Sequence, residues 1–289
     1  MTAYPSETHV IGGVDTHKDL HVAAVVDHRD RVLGTESFPT TRHGYRLMLA
    51  WMRSFGDLRR VGVECSGSYG AGLLRYLQAA GVDVLEVTAP DKHDRRRRGK
   101  NDDYDAESAA HAAFAKRHTV TPRSRDGMVE SLRVLRVCRK TAVQARRIAL
   151  QMIQMTIVCA PDKIREPLRS MTRMQLIRTL AAWRPDLTAY RQVEEAYRIS
   201  LKSLARRYLE LHDEVADLDD MIEAIVEDLA PELLAQTAIG LNSAAQLLLT
   251  AGDNPDRLRS EASFAALCGV SPVPASSGKT VRHRLNRGG

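Results

Sequence analysis

Three apolar segments between residues 9 and 38 decide the fold of this chain: HVIGGVD (9–15), LHVAAVVD (20–27) and RVLGTESF (31–38). The first two are continuous apolar runs and the third alternates apolar with polar residues, and both patterns are typical of β-strands. The breaks between the segments, THKD and HRD, are tight. We therefore predict an antiparallel meander of three strands.

Helices and strands alternate after the meander. Residues 42–56 have a helical pattern, and VGVEC (61–65) predicts a fourth strand. GAGLLRYLQAAG (70–81) predicts a helix that ends at a glycine, and VDVLEVTA (82–89) predicts a fifth strand. This order predicts an α/β domain with a mixed, five-stranded sheet.

The remainder of the chain has helical patterns. DYDAESAAHAAFAKR (103–117) predicts an alanine-rich helix, and an arginine-dense helical pattern follows at 127–155. Residues 190–228 form a long amphipathic stretch, which in a soluble protein indicates a helical hairpin or coiled coil. From Pro231 the pattern is helix, turn and helix, followed by a basic segment rich in glycine, serine and proline.

Composition supports a folded core and a polyanionic partner. Of the 289 residues 44% are hydrophobic, the net charge is +6, and the pI is near 9.2. Basic charge attracts polyanions in general, so it does not by itself identify nucleic acid. No apolar run approaches the ~18 residues of a membrane span, and the N-terminal segment lacks the apolar core of a signal peptide. We therefore expect a cytoplasmic protein without a membrane partner.

The cysteines indicate neither a metal knuckle nor a disulfide framework. They are isolated from one another and form no CxxC pair: Cys65, Cys138, Cys159 and Cys268. We expect them to be small buried residues in a reducing compartment.

Four carboxylates carry the main functional signal. Asp15 ends the first predicted strand and Glu64 ends the fourth, while Asp102 and Asp105 share one face at the start of a helix. Taken singly, each acid has a plainer explanation as a solvated turn residue, a helix N-cap or a first-turn acid. Together, carboxylates at two strand ends and on one helix face predict a Mg²⁺ site, with Mn²⁺ as a substitute, that acts on phosphodiesters. Clustered carboxylates raise one another's pKa until a cation neutralises them.

Basic residues flank the acid pair. RRRRGK (95–100) lies directly before it, and we predict phosphate contacts from Arg95, Arg96, Arg97, Arg98 and Lys100. A solvated basic loop is the alternative. The arginines of 127–155 have two open interpretations, a nucleic-acid groove or a helix kept soluble by its charges.

A serine doublet lies among cations near the C-terminal end. In PVPASSGKTVRHR (272–284), Ser276 and Ser277 precede Lys279 and Arg282. A serine in such surroundings can attack a phosphodiester and hold it as a phosphoserine ester, with the cations stabilising the developing charge. The alternative is an ordinary flexible loop.

Four motifs in order resemble one family: GGVDTHKDLHVAAVVD (12–27), GVECSGSYGAGLLRYL (62–77), KNDDYDAESAA (100–110) and GVSPVPASSGK (269–279). The chain resembles, over essentially its whole length, the DEDD-type, RuvC-like transposases of bacterial insertion sequences, the one-ten family that is related to the pilin-gene inverting recombinases. The resemblance implies an RNase-H-like (RuvC-like) DEDD catalytic domain at 1–122. It also implies a helical, coiled-coil region at 123–230 and a C-terminal transposase domain with the serine motif at 231–289.

The same resemblance implies roles for individual residues. The family's four catalytic, metal-binding acids fall on Asp15, Glu64, Asp102 and Asp105. Its serine nucleophile falls on Ser277, which directly precedes a glycine, although the doublet leaves Ser276 as a rival. A structured guide RNA, read mainly by shape and backbone, is implied by the resemblance alone.

Two departures from the family pattern bear on the C-terminal region. The segment IGLNSAA (239–245) lacks the proline that the family has there. Family members also continue with further helices after the basic residues at which this sequence stops, so we expect an incomplete, truncated C-terminal domain.

The leading hypothesis is a DNA transposase or recombinase that uses Mg²⁺ and a serine nucleophile. Strand exchange needs several cuts, so we expect a homo-oligomer, a dimer or tetramer, that assembles through 190–228. Three alternatives stay open: a RuvC-type nuclease that uses metal-activated water, a non-catalytic nucleic-acid-binding protein left by truncation, and a structural helical protein with a small α/β head.

Overall fold

The chain folds into two compact units, Met1–Ser124 and Arg125–Gly289. The computed structural model describes residues 9–87, 101–253, 258 and 260–286. The further division of the helical part at residue 230 stays a prediction.

The described part of the first unit contains a sheet and three helices. Its strands are β1 His9–Thr16, β2 Leu20–Val26, β3 Val32–Pro39, β4 Asp57–Glu64, β5 Asp83–Val87 and β6 Thr119–Val120. Its helices are α1 Arg42–Ser54, α2 Ala71–Ala79 and α3 Asp102–Ala115.

The sheet has the strand order β3-β2-β1-β4-β5-β6. Strands β1, β2 and β3 form the predicted antiparallel meander, and β4 and β5 continue the sheet in parallel to β1. The mixed α/β architecture expected of an RNase-H-like domain is thereby confirmed. A sixth strand, β6, pairs with β5 in antiparallel fashion. The sequence did not predict it because two residues are too few to show a periodicity.

Helices cover both faces of the sheet. On one face, α1 and α2 bury a core that includes Val10, Val14, Met48, Met52, Leu73 and Leu74. On the other face, α3 packs its alanines against Ile11, Val22, Ala24 and Val26.

Helix α3 approaches β1 very closely because small residues meet there. A Cβ atom on Gly13 would lie 2.1 Å from the backbone nitrogen of Ala110 and 2.3 Å from the carbonyl oxygen of Ala106. Only glycine fits at this contact. The contact holds the helix so that its first turn, one turn before Ala106, lies near the carboxyl end of β1.

The described part of the second unit is mainly helical. Its helices are α4 Met128–Val158, α5 Asp162–Arg165, α6 Arg173–Ala182, α7 Val193–Leu229, α8 Pro231–Leu234, α9 Leu241–Ala251 and α10 Glu261–Leu267. Two short strands, β7 Val273–Pro274 and β8 His283–Arg284, pair as a hairpin.

Helices α4 and α7 confirm the prediction of long helices in this region. They contain 31 and 37 residues and run antiparallel. Ile153, near the end of α4, packs with Leu201 near the start of α7, whereas Leu132, near the start of α4, packs with Ile222 near the end of α7. Helix α9 joins the second of these clusters through Ala244.

The expectation that the cysteines are buried is wrong. Cys65, Cys138 and Cys159 are exposed, and Cys268 is half-buried. Cys65 follows β4 in a left-handed backbone conformation, with φ of 51°, and Cys138 lies on an outer side of α4. Isolation along the sequence does not show which side of an element faces solvent. None of the described helices is both long and apolar enough to span a membrane.

Candidate functional site

The carboxyl ends of two parallel strands bring Asp15 and Glu64 to one edge of the sheet. Asp15 precedes the last residue of β1, and Glu64 ends the adjacent strand β4. The hydroxyl of Thr16 donates a hydrogen bond to the carbonyl oxygen of Glu64 (3.0 Å), which ties the two strand ends together. Both acids are buried, with 6% and 7% of their surface exposed. A buried carboxylate at a strand end is not a solvated turn residue.

The first turn of α3 supplies the other two predicted acids. Asn101 is the N-cap, and its side chain accepts a hydrogen bond from the backbone N–H of Asp103 (3.1 Å). Asp102 and Asp105 therefore lie inside the helix rather than at the cap. Asp105 is buried, whereas the side chain of Asp102 is 48% exposed.

His17 joins these acids, and sequence analysis did not assign it a role. Its Nε2 atom lies 3.1 Å from Asp15 Oδ2 and 3.4 Å from Asp102 Oδ2. One ligand atom from each of these three residues falls within 4.8 Å of the others. The signal that could have identified His17 in the sequence is its spacing from Asp15. Residues two apart at a strand end have side chains on the same side of the sheet.

Two atoms of this cluster fit a cation. Asp15 Oδ2 and His17 Nε2 are both buried and make no hydrogen bond to any residue that the structure describes. Buried polar atoms normally make hydrogen bonds, whereas the polar contacts of these two atoms in the described ranges are the ones inside the cluster, at 3.1 and 3.4 Å. Carboxylate oxygens with one imidazole nitrogen form a donor set for a divalent cation. We refer to Asp15, His17 and Asp102 as the β1–α3 cluster.

The electrostatic environment of Asp15 also favours a bound cation. Burial raises the pKa of the Asp15 carboxyl above its ordinary value, and His17 opposes this effect. The nearby carboxylates of Asp105 and Asp102 raise the pKa further. The charged form of Asp15 is therefore disfavoured in the free protein, and a bound cation would relieve this penalty.

The turn that carries His17 is fixed by a second histidine. The backbone N–H of His17 lies 3.2 Å from the carbonyl oxygen of Leu20 and 3.3 Å from Nδ1 of His21. His21 is fully buried and stacks on Tyr45, with ring centroids 5.7 Å apart. Burial lowers the pKa of His21 to about 4, so this ring is neutral at pH 7 and accepts at Nδ1.

The predicted serine region lies in the β7–β8 hairpin of the second unit. The backbone N–H and C=O of Ser277 both pair with Thr280, around a turn in which Gly278 has φ of 56°. The Ser276 hydroxyl lies 3.2 Å from the backbone N–H and 3.3 Å from the carbonyl oxygen of Arg282. In contrast, the Ser277 hydroxyl has no hydrogen-bond partner in the described ranges. Lys279 and Arg282 are exposed in the same hairpin.

The predicted phosphate contacts before α3 fall on residues outside the described ranges: Arg95, Arg96, Arg97, Arg98 and Lys100.

Several arginines of the 127–155 pattern have partners inside the second unit. Arg139 pairs with Asp219 of α7, and Arg136 donates to the carbonyl oxygen of Asn242 (2.6 Å). Such contacts hold α7 and α9 to α4. The sequence suggested that these arginines line a nucleic-acid groove or keep the helix soluble, and it did not suggest this role in packing.

Two family models match the chain. One, of DEDD transposases of the IS110 type, matches residues 12–157, which is more than half of the 289 residues. A second, described as the transposase IS116/IS110/IS902 family, matches residues 230–289. The first segment includes the four predicted acids and His17, and the second includes both candidate serines. A search of curated proteins finds no match.

Proposed function

Because this chain belongs to the IS116/IS110/IS902 family of transposases, we propose that it cleaves and exchanges DNA strands during transposition of an insertion element. Membership in the family makes the chain a DNA-processing transposase, and the chemistry of its site is our proposal. The proposed ligands of Mg²⁺, or of Mn²⁺ in its place, are Asp15, Glu64, Asp102 and Asp105. We add His17, whose Nε2 atom lies beside Asp15 and Asp102. The proposed nucleophile is Ser277.

The observation that carries this proposal is the convergence of the β1–α3 cluster. Asp15 and Asp102 come from distant parts of the sequence, yet both lie beside Nε2 of His17. Two of the three ligand atoms are buried without a hydrogen bond among the described residues. Donor atoms that face one another and make no other hydrogen bond in the described ranges suit a cation.

Each protein group has a defined task in the proposed reaction. A bound divalent cation would polarise a phosphoryl oxygen and neutralise charge on the phosphate. The Ser277 hydroxyl attacks phosphorus and gives up its proton, and the bond from phosphorus to one DNA oxygen breaks. That departing oxygen takes up a proton, while the DNA stays attached as a phosphoserine ester. Lys279 and Arg282 stabilise the charge on phosphorus.

The hairpin geometry favours Ser277 over Ser276 as the nucleophile. The Ser276 hydroxyl is occupied by both backbone groups of Arg282. Ser277 is exposed at the turn, and its backbone pairing with Thr280 fixes the main chain without using the hydroxyl. We assign Ser276 the task of closing the hairpin that presents Ser277.

Assembly into a homo-oligomer is part of the proposal, and an apolar stripe on α4 supports it. The exposed residues Val134, Val137, Ile148, Met152 and Met155 recur at helical spacings. At 100° per residue they fall within a narrow sector of the helix, away from the face packed on α7, as in the seam of a coiled coil. The surface favoured for self-association is therefore on α4 rather than in 190–228. Guidance by a structured RNA rests on the motif resemblance alone.

The experiment that tests this function looks for a covalent protein–DNA adduct. The full chain is incubated with DNA of the element ends, Mg²⁺ and candidate guide RNA, and is then run on a denaturing gel. We expect an adduct that Ser277→Ala and Asp102→Ala both abolish, while Ser276→Ala keeps it at a reduced level. An adduct that survives Ser277→Ala would overturn the assignment of the nucleophile.

A second candidate is a RuvC-type nuclease that uses activated water. The observation that favours it is that the β1–α3 cluster belongs to the first unit alone and needs no serine. This candidate predicts cleaved DNA without an adduct, with cleavage unchanged in Ser277→Ala and lost in Asp15→Ala.

A further inference from the structure

After its first turn, which contains Glu194 and Glu195, helix α7 has a basic half at residues 196–209 and an acidic half at residues 210–229. Between residues 196 and 209 the charged residues are all cations: Arg198, Lys202, Arg206 and Arg207. From residue 210 to residue 229 they are all acids: Glu210, Asp213, Glu214, Asp217, Asp219, Asp220, Glu223, Glu227 and Asp228. A helix kept soluble by its charges needs no such separation, because mixed signs serve that purpose equally well.

The acidic half of α7 meets a countercharge on α4, because Arg139 pairs with Asp219. Arg146 also contacts this half of α7, with its Nη1 atom 2.9 Å from Nδ1 of His212. The basic half of α7 has no comparable neighbour, because residues 151–158, at the end of α4 that packs against it, include no charged residue. Its charge is therefore not neutralised by the helix beside it.

Three cations of the basic half make no ion pair with any residue in the described ranges: Lys202, Arg206 and Arg207. The fourth, Arg198, differs, because it lies 3.8 Å from a carboxylate oxygen of Glu195 and stacks on the ring of Trp183. The unpaired cations are thus a distinct set on one side of the helix, where Lys202 and Arg206 are one turn apart.

These cations line a groove. It has a volume of about 510 Å³ and lies between α7 and the segment that follows α6. Its lining includes Arg184, Leu187, Ile199, Lys202, Arg206 and Arg207. Glu210 is the one acid in this lining. Four cations against one acid give the groove a net positive charge, and the apolar side chains reduce the screening of that charge by water.

We propose that this groove binds the phosphodiester backbone of double-stranded DNA. The inference rests on the proposed function, in which the chain acts on DNA, and adds a second place of contact on the helical unit. Arginines bind phosphate oxygens in bidentate geometry, and lysine supplies a compact charge. Contacts of this kind hold and orient DNA without reading its sequence. The groove is therefore a positioning site and not a catalytic one.

The test compares two variants of the full chain that lose the same charge. The groove variant, Arg206→Gln/Arg207→Gln, loses two positive charges from the groove. The α4 variant, Lys140→Gln/Arg147→Gln, loses two positive charges from exposed positions of α4. The probe is a 30-base-pair DNA duplex of arbitrary sequence, titrated at several salt concentrations. For the groove variant we expect the slope of log K against log salt to fall by about 2, and affinity at 0.1 M salt to fall roughly tenfold for each lost contact. The α4 variant should keep most of its affinity and slope.

Three outcomes would overturn the inference. Equal losses in both variants would mean that only net charge matters. A loss seen with an RNA duplex of the same length, and not with the DNA duplex, would assign the groove to RNA instead. The third outcome is that both variants bind DNA as tightly as the wild type, which would refute DNA binding by the groove without affecting the proposed function. These binding measurements do not depend on catalysis. A wild-type chain that forms no adduct would refute the proposed function, and the binding comparison would still test the groove.

Discussion

The Oδ2 atom of Asp15 lies 3.1 Å from Nε2 of His17, and neither buried atom makes a hydrogen bond within the described ranges. Asp102 approaches the same histidine nitrogen from the start of α3, at 3.4 Å. Strand β1 and helix α3 thus contribute to one cluster although they are far apart in the sequence. Apart from the contacts inside the cluster, Oδ2 of Asp15 and Nε2 of His17 make no hydrogen bond in the described ranges, which suits the proposed cation site.

Removal of the Asp15 carboxylate should abolish stabilisation by metal. At a Mg²⁺ concentration 100 times its Kd, we expect the free energy of unfolding of the wild type to rise by about 2.7 kcal/mol. Asp15→Asn should not respond. Without metal this variant should be at least as stable as the wild type, because a buried carboxylate with a raised pKa is gone. Thermal unfolding with Mg²⁺ or with EDTA measures both effects. Asp103→Asn, on an exposed first-turn residue of α3, is the control, and an equal Mg²⁺ response in Asp15→Asn would refute the site.

Replacement of His17 should change which metal binds best. Imidazole suits later transition metals, whereas Mg²⁺ prefers oxygen ligands. In His17→Ala we therefore expect the Co²⁺ affinity to fall by roughly tenfold or more and the Mg²⁺ affinity to fall less. A titration with Co²⁺, followed by its visible absorption, measures the Co²⁺ affinity. Competition of Mg²⁺ with bound Co²⁺ measures the Mg²⁺ affinity. Lys18→Ala changes an exposed side chain of the same turn and serves as control. Unchanged Co²⁺ affinity in His17→Ala would exclude His17 as a ligand.

A methyl group on Gly13 should displace α3. Because the new Cβ would meet backbone atoms of Ala110 and Ala106 at 2.1 and 2.3 Å, the helix must move. We expect Gly13→Ala to lower the free energy of unfolding by about 1–3 kcal/mol or more and to weaken metal binding. Urea denaturation measures the loss. Gly240→Ala, whose Cβ would have no heavy atom within 4 Å, should change stability by less than about 0.5 kcal/mol. Similar values for the two variants would contradict the close contact.

A charge on the α4 stripe should reduce self-association. Ile148 is 49% exposed on the stripe, so its replacement by glutamate would place a charge in an apolar seam. We expect light scattering to give an oligomer for the wild type and a lower mass for Ile148→Glu. Gln154→Glu introduces the same charge on an exposed position of α4 off the stripe and should leave the mass unchanged. A wild type that stays monomeric at high concentration would rule out this surface.

Acid should remove the stabilisation that Asp27 provides. Hydrogen bonds from the backbone and guanidinium of Arg31, and from the backbone of Arg29, hold the pKa of this carboxyl well below its ordinary value of 3.8. Its contribution is therefore present above pH 3.8 and is lost as the pH falls through the lower pKa of the folded state. Asp27→Asn should be less stable than the wild type at pH 7, and the difference should shrink below about pH 4.

Urea denaturation at a series of pH values measures the effect at Asp27. Asp57→Asn is the control, because that carboxylate is exposed and has one ion pair among the described residues, with Arg59. We expect only a small effect of this control at any pH. A difference between Asp27→Asn and the wild type that does not change with pH would show that charge is not the cause.

Sequence patterns predicted the meander, the mixed sheet and the long helices because each depends on local periodicity. A few residues are enough to show the apolar runs of β1 and β2, and a few helical turns are enough to show the amphipathic pattern of α7. Strand β6 escaped prediction because its two residues pair with β5 across a long separation in the sequence. The role of His17 escaped it because the residue acts through a turn whose geometry depends on the buried His21.

The sequence by itself determined the order of strands and helices, the four acids at strand ends and on a helix, and the motifs that identify the family. Tertiary structure alone decided which atoms converge and which charges stay unpaired. The contact between Gly13 and α3 brings Asp102 to His17. The antiparallel packing of α4 on α7 pairs Arg139 with Asp219, whereas Arg206 and Arg207 have no ion pair in the described ranges. Periodicity describes one element at a time, whereas these pairings arise when distant elements pack together.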